Sequence, residues 1–174
     1  MALMNINLQE FKILVVDDSR TARRFLEKAL TGLRVGAVFE AEDGAAAIQA
    51  LRQFPADFAI CDLHMTPVDG IEFTRVLRNA ADSPNPYLPV LMLTADATEL
   101  QLKYAVAAGV NGFMSKPVEA EPLLRQIQRL FSRPLVYVHD ERSLRPLMCS
   151  GGVAAVQPGE RVDGPEPALS EATA

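Results

Sequence analysis

The sequence predicts a doubly wound α/β domain over residues 11–131, a parallel sheet with helices on both faces. Three observations carry that prediction. Short, almost wholly apolar runs recur along the chain, as strands buried on both faces require. Segments with helical apolar spacing alternate with them. Four of the runs end in polar residues, at Asp17-Asp18, Asp62, Thr94 and Lys116, at the strand ends where such sheets place their ligands.

The first run, Phe11-Lys12-Ile13-Leu14-Val15-Val16, leads into Asp17-Asp18. Ser19 is placed to cap a helix over 20–30, with Ala22, Phe25, Leu26, Ala29 and Leu30 along one stripe and Gly32 closing it. A second strand over 35–41 is diluted by Gly36 and Ala37, and a helix over 45–54 stops before Pro55. Residues 57–62 form the third strand, 63–69 a loop containing Pro67, and Gly70 opens a helix to about 81. A loop with two prolines spans 82–86. Then come a fourth strand over 90–94, a helix over 97–108 ending at Gly109, a fifth strand over 110–115, and a helix over 119–131. Five strands alternating with five helices imply right-handed crossovers.

Residues 1–10 read as an N-terminal extension and 132–149 as a second one, with 133–138 an extended arm that packs back on the domain. Residues 150–174, rich in Gly, Pro, Ala and acidic side chains, read as a disordered tail. The expectation is that no second folded output domain is present.

A chain that is 49% hydrophobic and 22% charged supports a sizeable core. A net charge of -5, with no long Lys/Arg run, gives no general attraction for nucleic acid or anionic lipid. The absence of tryptophan leaves little for a base-stacking platform. Cys61 and Cys149 form no metal-ligand motif, and Cys61 reads as a buried thiol. No apolar stretch reaches the roughly 20 residues needed to span a bilayer, and no signal-peptide pattern is present. A cytoplasmic location is the expectation, with neither nucleic acid nor membrane as partner.

Asp17, Asp18 and Asp62 gathered at one rim would repel one another and attract a hard dication. Oxygen-only ligands favour Mg²⁺, with Mn²⁺ an alternative, whereas zinc would want histidine or cysteine. Asp62, ending the central strand, is the candidate nucleophile toward phosphorus. Lys116 can supply positive charge to phosphoryl oxygens and Thr94 a hydroxyl. Taken singly, each has an ordinary explanation as a helix cap, turn residue or solvated lysine; together they balance in charge and share one rim.

These residues resemble the bacterial two-component response-regulator receiver domain of the chemotaxis-regulator type. The resemblance rests on Ile13-Leu14-Val15-Val16-Asp17-Asp18, Asp62 through Gly70, Leu93-Thr94-Ala95 and Phe113-Met114-Ser115-Lys116-Pro117. It implies a flavodoxin-like sheet of strand order 2-1-3-4-5. It also implies that Asp62 takes a phosphoryl group from a histidine kinase or histidine phosphotransfer protein. Asp18 would ligate the metal directly and Asp17 largely through water, with Asp62 and the backbone carbonyl of His64 completing the protein's share. Thr94 and Phe113 would be the switch residues, Lys116 would act on the phosphoryl group, and the Lys116–Pro117 peptide would be cis. The protein would catalyse its own aspartyl phosphorylation and dephosphorylation, and signal by protein contact. The face of the fourth helix, fifth strand and fifth helix would meet a downstream protein or a second copy of the chain. Met65-Thr66-Pro67 departs from the usual pattern by displacing the proline one position, and His64 sits where a side chain tunes hydrolysis. A phosphorylation-independent interaction module and a small metal-dependent phosphohydrolase are the alternatives; for flavin, two aspartates stand where a phosphate loop would be needed.

Overall fold

The computed structural model describes residues 7–132, 135–139 and 144–146. Five strands, β1 (Lys12–Val16), β2 (Ala37–Ala41), β3 (Phe58–Asp62), β4 (Val90–Thr94) and β5 (Gly112–Ser115), form one parallel sheet in the order β2-β1-β3-β4-β5. Between and after them run α1 (Arg20–Gly32), α2 (Gly44–Gln53), α3 (Gly70–Asn79), α4 (Glu99–Ala108) and α5 (Ala120–Phe131). The flavodoxin-like order implied by the sequence is the one observed.

Alternation along the strands divides the core into two layers. Leu14 and Val16 of β1, with Ala59 and Cys61 of β3, pack under Ala47 and Leu51 of α2 and Phe73 and Leu77 of α3. Ile13 and Val15, with Phe58 and Ile60, face Leu26 and Leu30 of α1 and Leu123 and Ile127 of α5. Because both faces are covered, β3 is buried at every position. That is why its sequence reads as an unbroken apolar run until Asp62.

Most helix starts are fixed by side-chain caps on otherwise unpaired N–H groups. Ser19, Asp43 and Asp69 accept from Ala22, Ala46 and Glu72, and Thr98 forms a capping box with Gln101. The caps also explain boundaries that differ from the sequence reading. Thr98 is the cap of α4, so that helix begins at Glu99 rather than 97. Val35 and Gly36 donate their N–H groups to Leu30 and Leu8, so β2 begins at Ala37. Val110 donates to Ala105, which closes α4 and leaves β5 to start at Gly112. Gly32 lies inside α1, and the left-handed residue after that helix is Arg34, at φ 61°. Phe25, assigned by spacing to the buried stripe of α1, is 55% exposed.

The N-terminal extension includes a 3₁₀ turn, Leu8–Glu10, whose Leu8 is buried against the α1/α5 layer. After α5, β6 (Tyr137–His139) and β7 (Leu144–Pro146) pair antiparallel. Residues 150–174, read as disordered, and Arg133 and Pro134 of the expected arm lie outside the described residues.

Gly70 lets α3 approach the end of β3, because a Cβ there would stand 2.3 Å from the carbonyl oxygen of Asp62. Gly32 has open space around it. Gly70→Ala is expected to destabilise the fold by about 1–3 kcal/mol through overpacking. Gly32→Ala should stabilise it by about 0.4–1 kcal/mol through the unfolded chain. Urea denaturation of the two variants checks both signs.

Candidate functional site

Strand register assembles the site. Val16 pairs with Cys61, so the residues that follow, Asp17 and Asp62, emerge side by side from neighbouring strands. Asp62 pairs with Leu93 and Thr94 pairs with Ser115, which places Thr94 and Lys116 one step beyond on the next two strands. The Lys116 N–H donates to the Thr94 carbonyl at 2.9 Å, fastening those two ends together. Residues nearly one hundred positions apart thereby meet at one rim.

Asp17 is almost fully buried. Its Oδ1 accepts from the Ser19 N–H at 2.8 Å and its Oδ2 from Lys116 Nζ at 2.8 Å. Lys116 Nζ also lies 3.0 Å from Asp62 Oδ1. Asp18 is exposed at the mouth of the cluster. One carboxylate oxygen from each of Asp17, Asp18 and Asp62 lies within 4.8 Å of the others. At an effective dielectric of ~20, two unit charges at that separation repel by about 3 kcal/mol. One ammonium does not neutralise three carboxylates.

Burial pushes Asp62 above the ordinary carboxylate range; the Lys116 hydrogen bond and charge oppose this without cancelling it, and Asp17 adds to the rise. For Lys116, burial acts downward, but hydrogen bonds to Asp17 and Asp62 hold its pKa above the usual lysine value. The site therefore keeps its lysine charged and leaves Asp62 short of counter-charge. All three acidic groups offer oxygen, the donor set of Mg²⁺ or Mn²⁺. The group of Asp17, Asp18 and Asp62 is thus suited to one hard dication.

Thr94 Oγ1 is buried and makes no hydrogen bond. An unpaired buried hydroxyl costs about 1–3 kcal/mol. Phe113 is half-buried and packs with Leu63, Met92, Ala105 and Val110 between the sheet and α4. His64 is exposed, with Nε2 3.4 Å from the carbonyl of Asp96. The Lys116–Pro117 peptide is cis, as the resemblance implied, and Thr66–Pro67 is cis as well. Cys61 is a buried free thiol behind Asp62, with burial first and Asp62 second holding it in the neutral form.

No residue pattern in the sequence singles out Arg23 on α1. Its Nη1 donates to the Asp17 carbonyl at 2.8 Å and its Nε to Glu40 at 2.8 Å. Arg23 thus props the end of β1, while Arg20 and Arg24 remain exposed. One helical turn between Ser19 and Arg23 is a signal for this, but only once Ser19 is known to cap α1.

Comparison with known proteins agrees with this geometry. The family described as the response regulator receiver domain matches residues 13–128. Chemotaxis protein CheY-3 of Vibrio cholerae is 38% identical over 132 residues, covering 76% of this chain and 98% of that protein. Chemotaxis protein CheY of Pseudomonas aeruginosa is 40% identical over 122 residues, covering 70% and 97%. The solved structure of Vibrio cholerae CheY4 at low pH superposes with a TM-score of 0.64 at 30% identity, covering 70% of this chain and 98% of that one. The receiver domain of a Pseudomonas aeruginosa sensor histidine kinase, described with magnesium in its active-site cleft, gives a TM-score of 0.61 at 27% identity, covering 71% and 98%. With residues 13–128 inside the match, this chain belongs to the bacterial response regulator receiver family and is related to the chemotaxis regulators.

Proposed function

We propose that the protein is a phosphorylation-activated response regulator in which Asp62 accepts a phosphoryl group from a histidine kinase or histidine phosphotransfer protein. The observation that carries this reading is Lys116 Nζ held between Asp17 and Asp62 at 2.8 and 3.0 Å, beside a third carboxylate and an unpartnered threonine hydroxyl. A carboxylate oxygen of Asp62 attacks phosphorus, the phosphorus–nitrogen bond of the donor breaks, and the histidine leaves with the bond's electrons. Asp17, Asp18, Asp62 and the His64 carbonyl would hold Mg²⁺ or Mn²⁺. When bound, that ion supplies positive charge against the phosphoryl oxygens.

Lys116 can turn from Asp62 toward the incoming phosphoryl group while keeping Asp17, so its charge stays paired throughout. Thr94 supplies a hydroxyl that gains a hydrogen bond only once phosphoryl oxygens are present. The movement of Thr94 would be followed by Phe113, which sits against α4, and so reach the face formed by α4, β5 and α5. Through that face the activated protein would meet a downstream protein or a second copy of itself, in the cytoplasm. Among the described residues no helix is long and apolar enough to cross a membrane. Hydrolysis of the aspartyl phosphate would reset the switch, with His64 at the mouth of the site.

Incubation with acetyl phosphate and Mg²⁺ followed by intact-mass measurement is expected to add one phosphoryl group to the protein and none to Asp62→Asn. Lys116→Ala should slow the gain by roughly 10²-fold, the scale of one lost electrostatic contact in the transition state. No gain under conditions that modify another receiver would sink the reading.

Thr94→Val keeps the side-chain shape and removes the unpaired hydroxyl. It is expected to raise the urea-unfolding stability of the unphosphorylated protein by about 1 kcal/mol. The same variant should lose the shift of the Phe113 resonances on addition of beryllofluoride. A loss of stability in this variant would mean that the hydroxyl already has a partner.

A further inference from the structure

The β6–β7 strand pair lies outside the family match, which ends at residue 128, yet it is built into the domain. Its anchor is Tyr137. The Tyr137 hydroxyl donates to the carbonyl of Tyr87 at 2.7 Å and accepts from Asn111 Nδ2 at 3.1 Å. The ring meets Tyr87 edge-on, with centroids 5.4 Å apart, and lies 5.3 Å from the guanidinium carbon of Arg78. On β7, Leu144 is buried and its N–H donates to Asn79 Oδ1 at 3.4 Å.

Arg78 explains why this anchor is strong. It is 3% exposed, and its hydrogen bonds go to oxygens of uncharged groups. Those acceptors are the carbonyls of Pro86, Leu88 and Gly109 and the Oδ1 of Asn111, at 2.7–3.2 Å. Burial pulls its pKa down to about 10, so it stays charged at neutral pH. A charge buried among dipoles gains from an aromatic face, and Tyr137 provides one. The guanidinium thus ties together the end of α3, the loop before β4, the α4–β5 turn and the added strands.

The turn so held joins α4 to β5. Gly109, at φ 99°, caps α4, and a Cβ there would meet Arg78 and the Leu144 carbonyl at 3.0 Å. Asn111 donates its N–H to the Val90 carbonyl and accepts the Val90 N–H on Oδ1, fastening the start of β5 to the start of β4. The same two strands carry Thr94, Phe113 and Lys116 toward the acidic rim. In this arrangement the Thr94 hydroxyl has no hydrogen-bond partner. An element that binds this arrangement more tightly than the one in which Thr94 reaches a phosphoryl group must oppose phosphorylation, by linkage.

We propose that β6 and β7 form an intramolecular strap on the α4–β5 turn, and that strap docking and occupation of the phosphoryl site at Asp62 weaken each other. This rests on the reading of Asp62 as phosphoacceptor. Tyr137→Ala removes the ring from Arg78, and Tyr137→Phe keeps the ring while removing both hydroxyl contacts.

The test titrates the full chain and both variants with beryllofluoride in excess Mg²⁺, followed by amide NMR, and measures hydrogen exchange at the Leu144 N–H. In the wild type, saturating beryllofluoride should speed Leu144 exchange. Tyr137→Phe should lower the half-saturating beryllofluoride concentration by about 3-fold or more, and Tyr137→Ala by at least as much. Wild-type binding with unchanged or weaker binding in the folded Tyr137→Phe protein overturns the strap and leaves the phosphoacceptor reading intact. No beryllofluoride binding by the wild type overturns both. If Tyr137→Ala does not fold, Tyr137→Phe decides the matter.

Discussion

Lys116 sits between two carboxylates that the fold has taken out of water. Its ammonium lies 2.8 Å from Asp17 and 3.0 Å from Asp62, and both acids are buried. Without it, two buried negative charges would face one another across adjacent strands. With it, burial still leaves Asp62 above the ordinary carboxylate range. The rim is therefore held together but not neutral, and Asp18 at its mouth adds a further negative charge. A site in that condition favours ligands that bring positive charge in with them.

The rest of the molecule keeps those ends in register. Two apolar layers lock the strands from either side, so a one-residue slip would turn each core face outward. Register alone brings Asp17 beside Asp62 and puts Thr94 and Lys116 on the next two strands. Arg23 holds the Asp17 carbonyl, and Gly70 gives α3 room to close on Asp62. At the opposite ends of β4 and β5, Asn111, Arg78 and Tyr137 do the corresponding fastening. Strands β4 and β5 are thus constrained at both ends.

Much of this was legible in the sequence. The apolar run of β3 ending in Asp62, the Asp17-Asp18 pair and the Lys116-Pro117 turn specify fold and rim together, because strands buried on both faces admit polar residues only at their ends. Helix spacing did less well at Phe25, where the apolar stripe is wider than the surface available to cover it, and one ring stays 55% exposed. Element starts moved where backbone N–H groups had other partners, as at Val35, Gly36 and Val110. Nothing in the sequence marks Arg23 or Arg78 as structural, because most of their acceptors are backbone carbonyls, which leave no trace there. Tyr137 was part of the expected arm, but its partners Tyr87 and Asn111 lie 50 and 26 positions away, and no local pattern announces them.

The most direct measurement of the central claim, that register builds an oxygen-only site short of positive charge, is the thermal stability of the protein as Mg²⁺ is titrated. Binding to the native state alone should raise Tm steadily with the logarithm of Mg²⁺ concentration above the dissociation constant. The rise should be largest near pH 7. It should fade toward pH 4, beginning above the ordinary aspartate value of about 3.9, because burial makes Asp62 take up its proton early. Asp18→Asn, an exposed change that leaves the core alone, should abolish most of the increment. A Tm indifferent to Mg²⁺, or an increment that survives Asp18→Asn unchanged, would contradict the account.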